Sequence, residues 1–155
     1  MEQKTKLTAE ADRQELLITR TFDLPLNLLY KAYAEAELIE QWMGNKVVKL
    51  EHRSHGSYAF ETTDAQGNVL FRANGTFHKV IENQTIVRTF EMDSREFPVQ
   101  LEYLDFEEIG PDKSSLSMKI IFKSVADRDN LLKLPFAYGI NMAHNALQKL
   151  MQQFN

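Results

Sequence analysis

The sequence predicts an α+β chain in which a curved antiparallel sheet holds one long C-terminal helix. Three observations carry this reading. Apolar periodicity switches from about 3.6 to about 2 after Gly44 and keeps that period as far as Phe122. Across that stretch the strand-like segments are separated by short polar turn sequences, as consecutive hairpins require. The chain then closes on Pro135 to Phe154, where Phe136, Ile140, Ala143, Leu147, Leu150 and Phe154 recur at alternating spacings of four and three. That is the stripe of one amphipathic helix, about 30 Å long.

Residues 1–13 read as a flexible polar leader, and 14–155 as a single domain without repeat, low-complexity tract or linker. The first strand runs from Glu15 to Asp23, with Leu16, Ile18, Arg20 and Phe22 on one face. Leu24-Pro25 ends it. Proline suits a helix start, where its missing N–H has no partner to lose, and Leu28, Leu29, Ala32 and Tyr33 follow at helical spacing. A second short helix spans about Ala36 to Trp42, with Gly44 as its left-handed stop. Strands follow, cut at Ser54-His55-Gly56, Asp64 to Asn68, Glu82-Asn83-Gln84, Asp93 to Glu96 and Gly110 to Lys113. The last alternates most clearly, with Leu116, Met118, Ile120 and Phe122 on one face. The expected order is β-α-α-β-β-β-β-β-β-α, an antiparallel meander with the final helix in its concavity.

A chain of 155 residues buries roughly 70% of its unfolded surface, enough for a sizeable core. It contains no cysteine, which removes disulfides, thiolate metal sites and a cysteine nucleophile. The start shows no secretory signal, and no apolar run reaches the roughly 20 residues that span a bilayer, so a cytoplasmic location is expected. The net charge is −4, and Lys and Arg are dispersed, unlike the basic stripe of a nucleic-acid binder. His52, His55, His78 and His144 show no metal-ligand spacing, and no phosphate loop, nucleophile elbow or dinucleotide fingerprint occurs. No cofactor or metal is expected.

The informative signal is charge in the core phase of strands. Arg88 shares a face with Ile86 and Phe90, and Glu102 shares one with Leu104 and Phe106. Opposite charges on neighbouring strands point to a pair facing one cavity, since an unpaired buried charge is costly. In one reading Arg88 receives a ligand's carboxylate or carbonyl and Glu102 orients it. In the other the two form a structural or mouth-exposed salt bridge, or a bulge turns one outward. His144 flanks the helix stripe as a surface or satisfied helix histidine. Trp42 reads as a packing anchor for the two short helices.

The chain resembles the START-like (SRPBCC, helix-grip) superfamily, within it the branch named after the activator of the ninety-kilodalton heat-shock-protein ATPase. The resemblance rests on Ile18-Thr19-Arg20-Thr21-Phe22-Asp23-Leu24-Pro25, then Leu29 to Tyr33, Leu38 to Gly44, Gly56 to Phe60, Gly75-Thr76-Phe77 and Phe106-Glu107-Glu108. It departs where Met43 and Met142-Ala143 stand in place of a family Trp and a Gly-Trp, and where His55-Gly56 replaces a double glycine. Flexible residues in place of a Trp enlarge or repack a cavity.

The resemblance implies a helix-grip fold and a small apolar or lipid-like ligand held between sheet and C-terminal helix. The candidate lining is Tyr58, Phe60, Phe77, Phe90, Leu104 and Met118 from the sheet, the pair Arg88 and Glu102, and Tyr138 and Met142 from the final helix. The branch name gives a second reading, a stress-response or co-chaperone-like protein with a chaperone as partner. A cyclase- or hydrolase-type enzyme in the same cavity is a third. The expected state is a monomer or weak homodimer.

Overall fold

The computed structural model describes residues 4–93 and 97–155. Strands β1 (Lys6–Thr8) and β2 (Glu15–Phe22) precede helices α1 (Leu26–Ala34) and α2 (Ala36–Met43). Then come β3 (Lys46–Leu50), β4 (Ser57–Thr63), β5 (Val69–Ile81), β6 (Thr85–Met92), β7 (Gln100–Gly110) and β8 (Lys113–Ile121). Helices α3 (Val125–Leu132) and α4 (Phe136–Met151) close the chain, the last turn tightening to 3-10 geometry over Gln152–Phe154.

The strands form one 8-stranded antiparallel sheet in the order β1-β2-β8-β7-β6-β5-β4-β3. Register shifts at Val47/Lys49, Thr62/Thr63, Phe77/Lys79 and Glu108/Gly110 bend individual strands, and such bulges increase twist and curl a sheet. The α+β helix-grip-type expectation holds. On β2 the inward phase buries Leu16, Ile18, Arg20 and Phe22, as the alternation predicts. The Pro25 carbonyl accepts from the N–H groups of both Leu28 and Leu29, starting α1. Gly44 ends α2 at φ 68°, a conformation glycine adopts without strain.

Helix α4 packs against α2 and is tied to β2, where Arg20 donates to Asn145 and Gln148 brackets the Asp23 backbone. Leu147 and Met151 are fully buried in the same core as Ile18, Leu104 and Ile120.

Two elements depart from the expected order. The segment read as leader contributes β1, which pairs Lys6 with Thr19 and Thr8 with Leu17. Thr5 just before it is buried, and the backbone N–H groups of Lys4 and Thr5 both donate to Asn141 Oδ1 at 3.1 Å. Backbone pairing, Asn141 and the side chains of Thr5 and Leu7 hold this three-residue strand, which is too short to carry a periodic signal. Helix α3 was the other omission. Ser124 caps it by accepting from the Asp127 N–H, a local Ser-x-x-Asp signature visible in the sequence. Inside it Arg128 is buried and donates to the carbonyls of Glu10 and Glu15. The turn expected at Asp93 to Glu96 lies largely outside the described residues.

Candidate functional site

A partly open cavity of about 190 Å³ lies between the sheet and the helices. Its walls are Ile18 from β2, Phe60 from β4, Arg88 and Phe90 from β6, Gln100 and Glu102 from β7, and Met118 and Ile120 from β8. Tyr33 from α1, Ile39, Trp42 and Met43 from α2, and Phe136, Ile140 and Ala143 from α4 complete it. Most of these side chains are apolar, and the polar ones gather on adjacent strands.

Arg88 and Glu102 are paired residues in the β6–β7 register. Arg88 Nε donates to Glu102 Oε1 at 2.9 Å, and the Gln100 amide donates to the other carboxylate oxygen at 2.7 Å. The side chains of Arg88 and Glu102 are only 12% and 3% exposed. The guanidinium also stands over the Tyr58 ring, 5.4 Å from its centroid. Burial opposes the Arg88 charge, while the Glu102 carboxylate beside it favours that charge, and the group stays above its ordinary pKa.

Tyr58 is placed by a glycine. It lies opposite Gly75 in the β4–β5 register, and a Cβ on Gly75 would collide with the Tyr58 ring and the Thr89 carbonyl oxygen. The Tyr58 hydroxyl reaches that same carbonyl and donates to it. Burial raises the phenol pKa, so Tyr58 stays a neutral donor.

Behind the cavity a second polar cluster joins β2, the N-terminal segment and α4. Arg20 Nη1 donates to Asn145 Oδ1 at 2.8 Å and to Thr5 Oγ1 at 3.2 Å. Thr5 Oγ1 lies 2.8 Å from His144 Nδ1, and His144 Nε2 lies 3.5 Å from the Tyr33 hydroxyl. His144 is fully buried, and burial with the nearby Arg20 charge lowers its pKa to about 3. It is therefore neutral near pH 7.

Of the residues expected to line a cavity, Phe60, Arg88, Phe90, Glu102 and Met118 do so. Tyr58 and Phe77 are buried, their rings tilted against one another, and Leu104 is part of the packed core. Tyr138 and Met142 are corrections: they are 67% and 37% exposed and off the cavity wall. Each is two residues from Ile140, about 200° around the helix, so the rotation that turns Ile140 inward turns both outward. Trp42 is an anchor and a wall at once, its indole N–H donating to the Ala32 carbonyl at 2.9 Å. Tyr33 and Gln100 were missed. Tyr33 had a signal, as part of the α1 apolar spacing; Gln100 had none, because only the β6–β7 register puts it beside Glu102. Arg20 carried the same signal as Arg88, a charge in the core phase of its strand.

Among the described residues, no group of three or more His, Asp or Glu side chains could hold a metal ion. No helix among them is long and apolar enough to cross a membrane.

A family model described as Activator of Hsp90 ATPase homolog 1-like protein matches residues 23–152. The chain belongs to this family. A crystal structure of protein Ms6760 from Mycobacterium smegmatis superposes with a TM-score of 0.85 at 19% identity, covering 97% of this chain and 99% of that one. A solution structure from Staphylococcus epidermidis gives 0.79 at 22% identity, with 96% and 95% covered. One from Arthrobacter aurescens gives 0.85 at 12% identity, with 96% and 91% covered. At these identities the likeness is one of fold, and it extends over 96–97% of the chain. No curated protein matches the chain.

Proposed function

We propose that this member of the family is a binding module for a small apolar or amphipathic molecule, held in the cavity between sheet and helices. The observation that carries the reading is the combination of an apolar wall with one buried polar cluster, Arg88–Glu102–Gln100, on a single side. Binding sites have this composition: apolar surface supplies affinity, and a few polar groups fix orientation. The size narrows the class. A volume of about 190 Å³ lies below the roughly 300 Å³ where drug-sized pockets begin and somewhat above the roughly 150 Å³ of a cavity that takes benzene. One ring, or one short chain segment, fits. Cytoplasmic residence and a monomeric or weakly dimeric state belong to the same proposal.

Trp42 is the single tryptophan of the chain and lies on the cavity wall. Titration with toluene should therefore shift its emission saturably, and Ala143→Phe, which fills the space between α4 and the sheet, should abolish the shift while the protein still melts cooperatively. An unchanged Trp42 spectrum at saturating toluene, or an equal response in the filled variant, refutes the reading.

The family description favours a second reading, a co-chaperone-like interaction. Stimulation of a chaperone ATPase by the purified chain, undiminished in Ala143→Phe, would support it over the cavity.

A further inference from the structure

Two features of the cavity's polar side bear on what head group it accepts. The first is charge. The Arg88 cation is already matched by Glu102, whose second oxygen is taken by Gln100, so the cluster is neutral as a whole. A carboxylate entering beside it adds an anion for which the described lining residues offer no cation besides the already paired Arg88, close to the Glu102 carboxylate and against Phe60, Met118 and Ile120. Burying an unmatched charge in such surroundings is strongly unfavourable.

The second feature is hydrogen-bond direction. Guanidinium groups only donate, so Thr5 Oγ1 is the acceptor in its contact with Arg20. The buried Thr5 hydroxyl then has one proton to place, and His144 Nδ1 at 2.8 Å is the acceptor the described residues offer it. A proton on Nδ1 instead would strand that hydroxyl hydrogen, which buried groups rarely tolerate. Because burial keeps His144 neutral, its one ring proton is on Nε2 and points at the Tyr33 oxygen. Tyr33 accepts on that side. Among the described residues no acceptor takes its own O–H, and Tyr33 stands on the cavity wall.

We propose that the cavity selects an uncharged ligand with a carbonyl-type acceptor, received by the Tyr33 hydroxyl beside the neutral Arg88–Glu102 pair, over a carboxylate of the same shape. The chain Arg20 to Thr5 to His144 to Tyr33 is what fixes Tyr33 as donor. This rests on the cavity being a ligand site, and the test keeps the two apart.

Toluene, benzamide and benzoate share one ring and differ in head group, and their affinities at pH 7 are read from protein chemical shifts. Benzamide should bind at least about tenfold more tightly than benzoate. Tyr33→Phe should weaken benzamide about fivefold and leave toluene unchanged, as expected for one hydrogen bond. Glu102→Gln, nearly isosteric, should bring benzoate up to or past benzamide. Nitrogen shifts should show His144 protonated on Nε2. Benzoate binding as well as benzamide in the unaltered protein, equal weakening of all three probes in Tyr33→Phe, or an Nδ1 proton on His144 overturns the proposal. Toluene bound with benzamide excluded overturns it alone. If toluene fails as well, the ligand-site reading falls and takes the proposal with it.

Discussion

Replacing Arg88 by methionine removes the cation from a carboxylate that is 3% exposed and keeps the volume of the side chain nearly constant. The geometry sets the scale. With Nε and Oε1 2.9 Å apart, the charge centres are separated by about 4 Å, where two unit charges attract by about 4 kcal/mol at an effective dielectric of about 20. Desolvation offsets part of that, but only while both partners are present. In Arg88→Met the offset is gone and Glu102 is left with Gln100 alone. The expected loss is about 3 kcal/mol, the low end of the 3–5 kcal/mol range for breaking buried pairs, because Arg88 retains some exposure. Against a total of about 5–15 kcal/mol for a domain, the variant should still unfold in a measurable transition. The double change Arg88→Met with Glu102→Gln should recover about 2 kcal/mol of the loss, since no charge is then stranded. Urea unfolding reads all the variants, with the midpoint moving at constant slope. The exposed pair Lys31–Glu35, at 3.7 Å, serves as control and should move little. A loss under about 1 kcal/mol in Arg88→Met, or strict additivity of the two changes, would show that the pair is not buried as a coupled unit.

Two further predictions concern residues around the cavity. The folded His144 pKa of about 3 lies below its ordinary 6.5, so between these values the unfolded chain binds the extra proton. Stability should therefore fall as pH drops through 6.5, by up to about 1.4 kcal/mol per pH unit. His144→Gln should lessen that slope between about pH 5 and pH 6.5, where carboxylates contribute little; an identical slope in the variant refutes the neutral, buried assignment. Gly75→Ala should destabilise by about 1–3 kcal/mol, because the added methyl displaces Tyr58 or the Thr89 backbone. It should also weaken the cavity's polar side by moving the ring under Arg88; an unchanged melting temperature would contradict the close approach.

Much of the architecture was legible because it is enforced locally. Alternation in β2 and β8, the Pro25 start of α1 and the φ 68° stop at Gly44 each follow from the chemistry of a few consecutive residues. Inward charge was legible for the same reason: strand phase alone directs Arg88 and Glu102 to the concave face. Register decided the rest. Whether those two met depended on how β6 aligns with β7, and a shift of one residue would have parted them.

Sequence by itself therefore determined the fold class, the order of the main elements and the apolar character of the inner face, all properties of local period and turn chemistry. The tertiary structure decided which of those residues share a cavity. Helix periodicity specifies a stripe about 100° wide but not its rotation against the sheet, so Tyr138 and Met142 came out in solvent while Ile140 and Ala143 came in. The ties of Thr5 to α4 and the His144 end of the Arg20–Thr5–His144–Tyr33 cluster were beyond local reading because they join residues more than a hundred apart, as with Thr5 and His144 at a separation of 139. No short-range pattern encodes a contact that exists only when both ends of the chain are folded against the same helix.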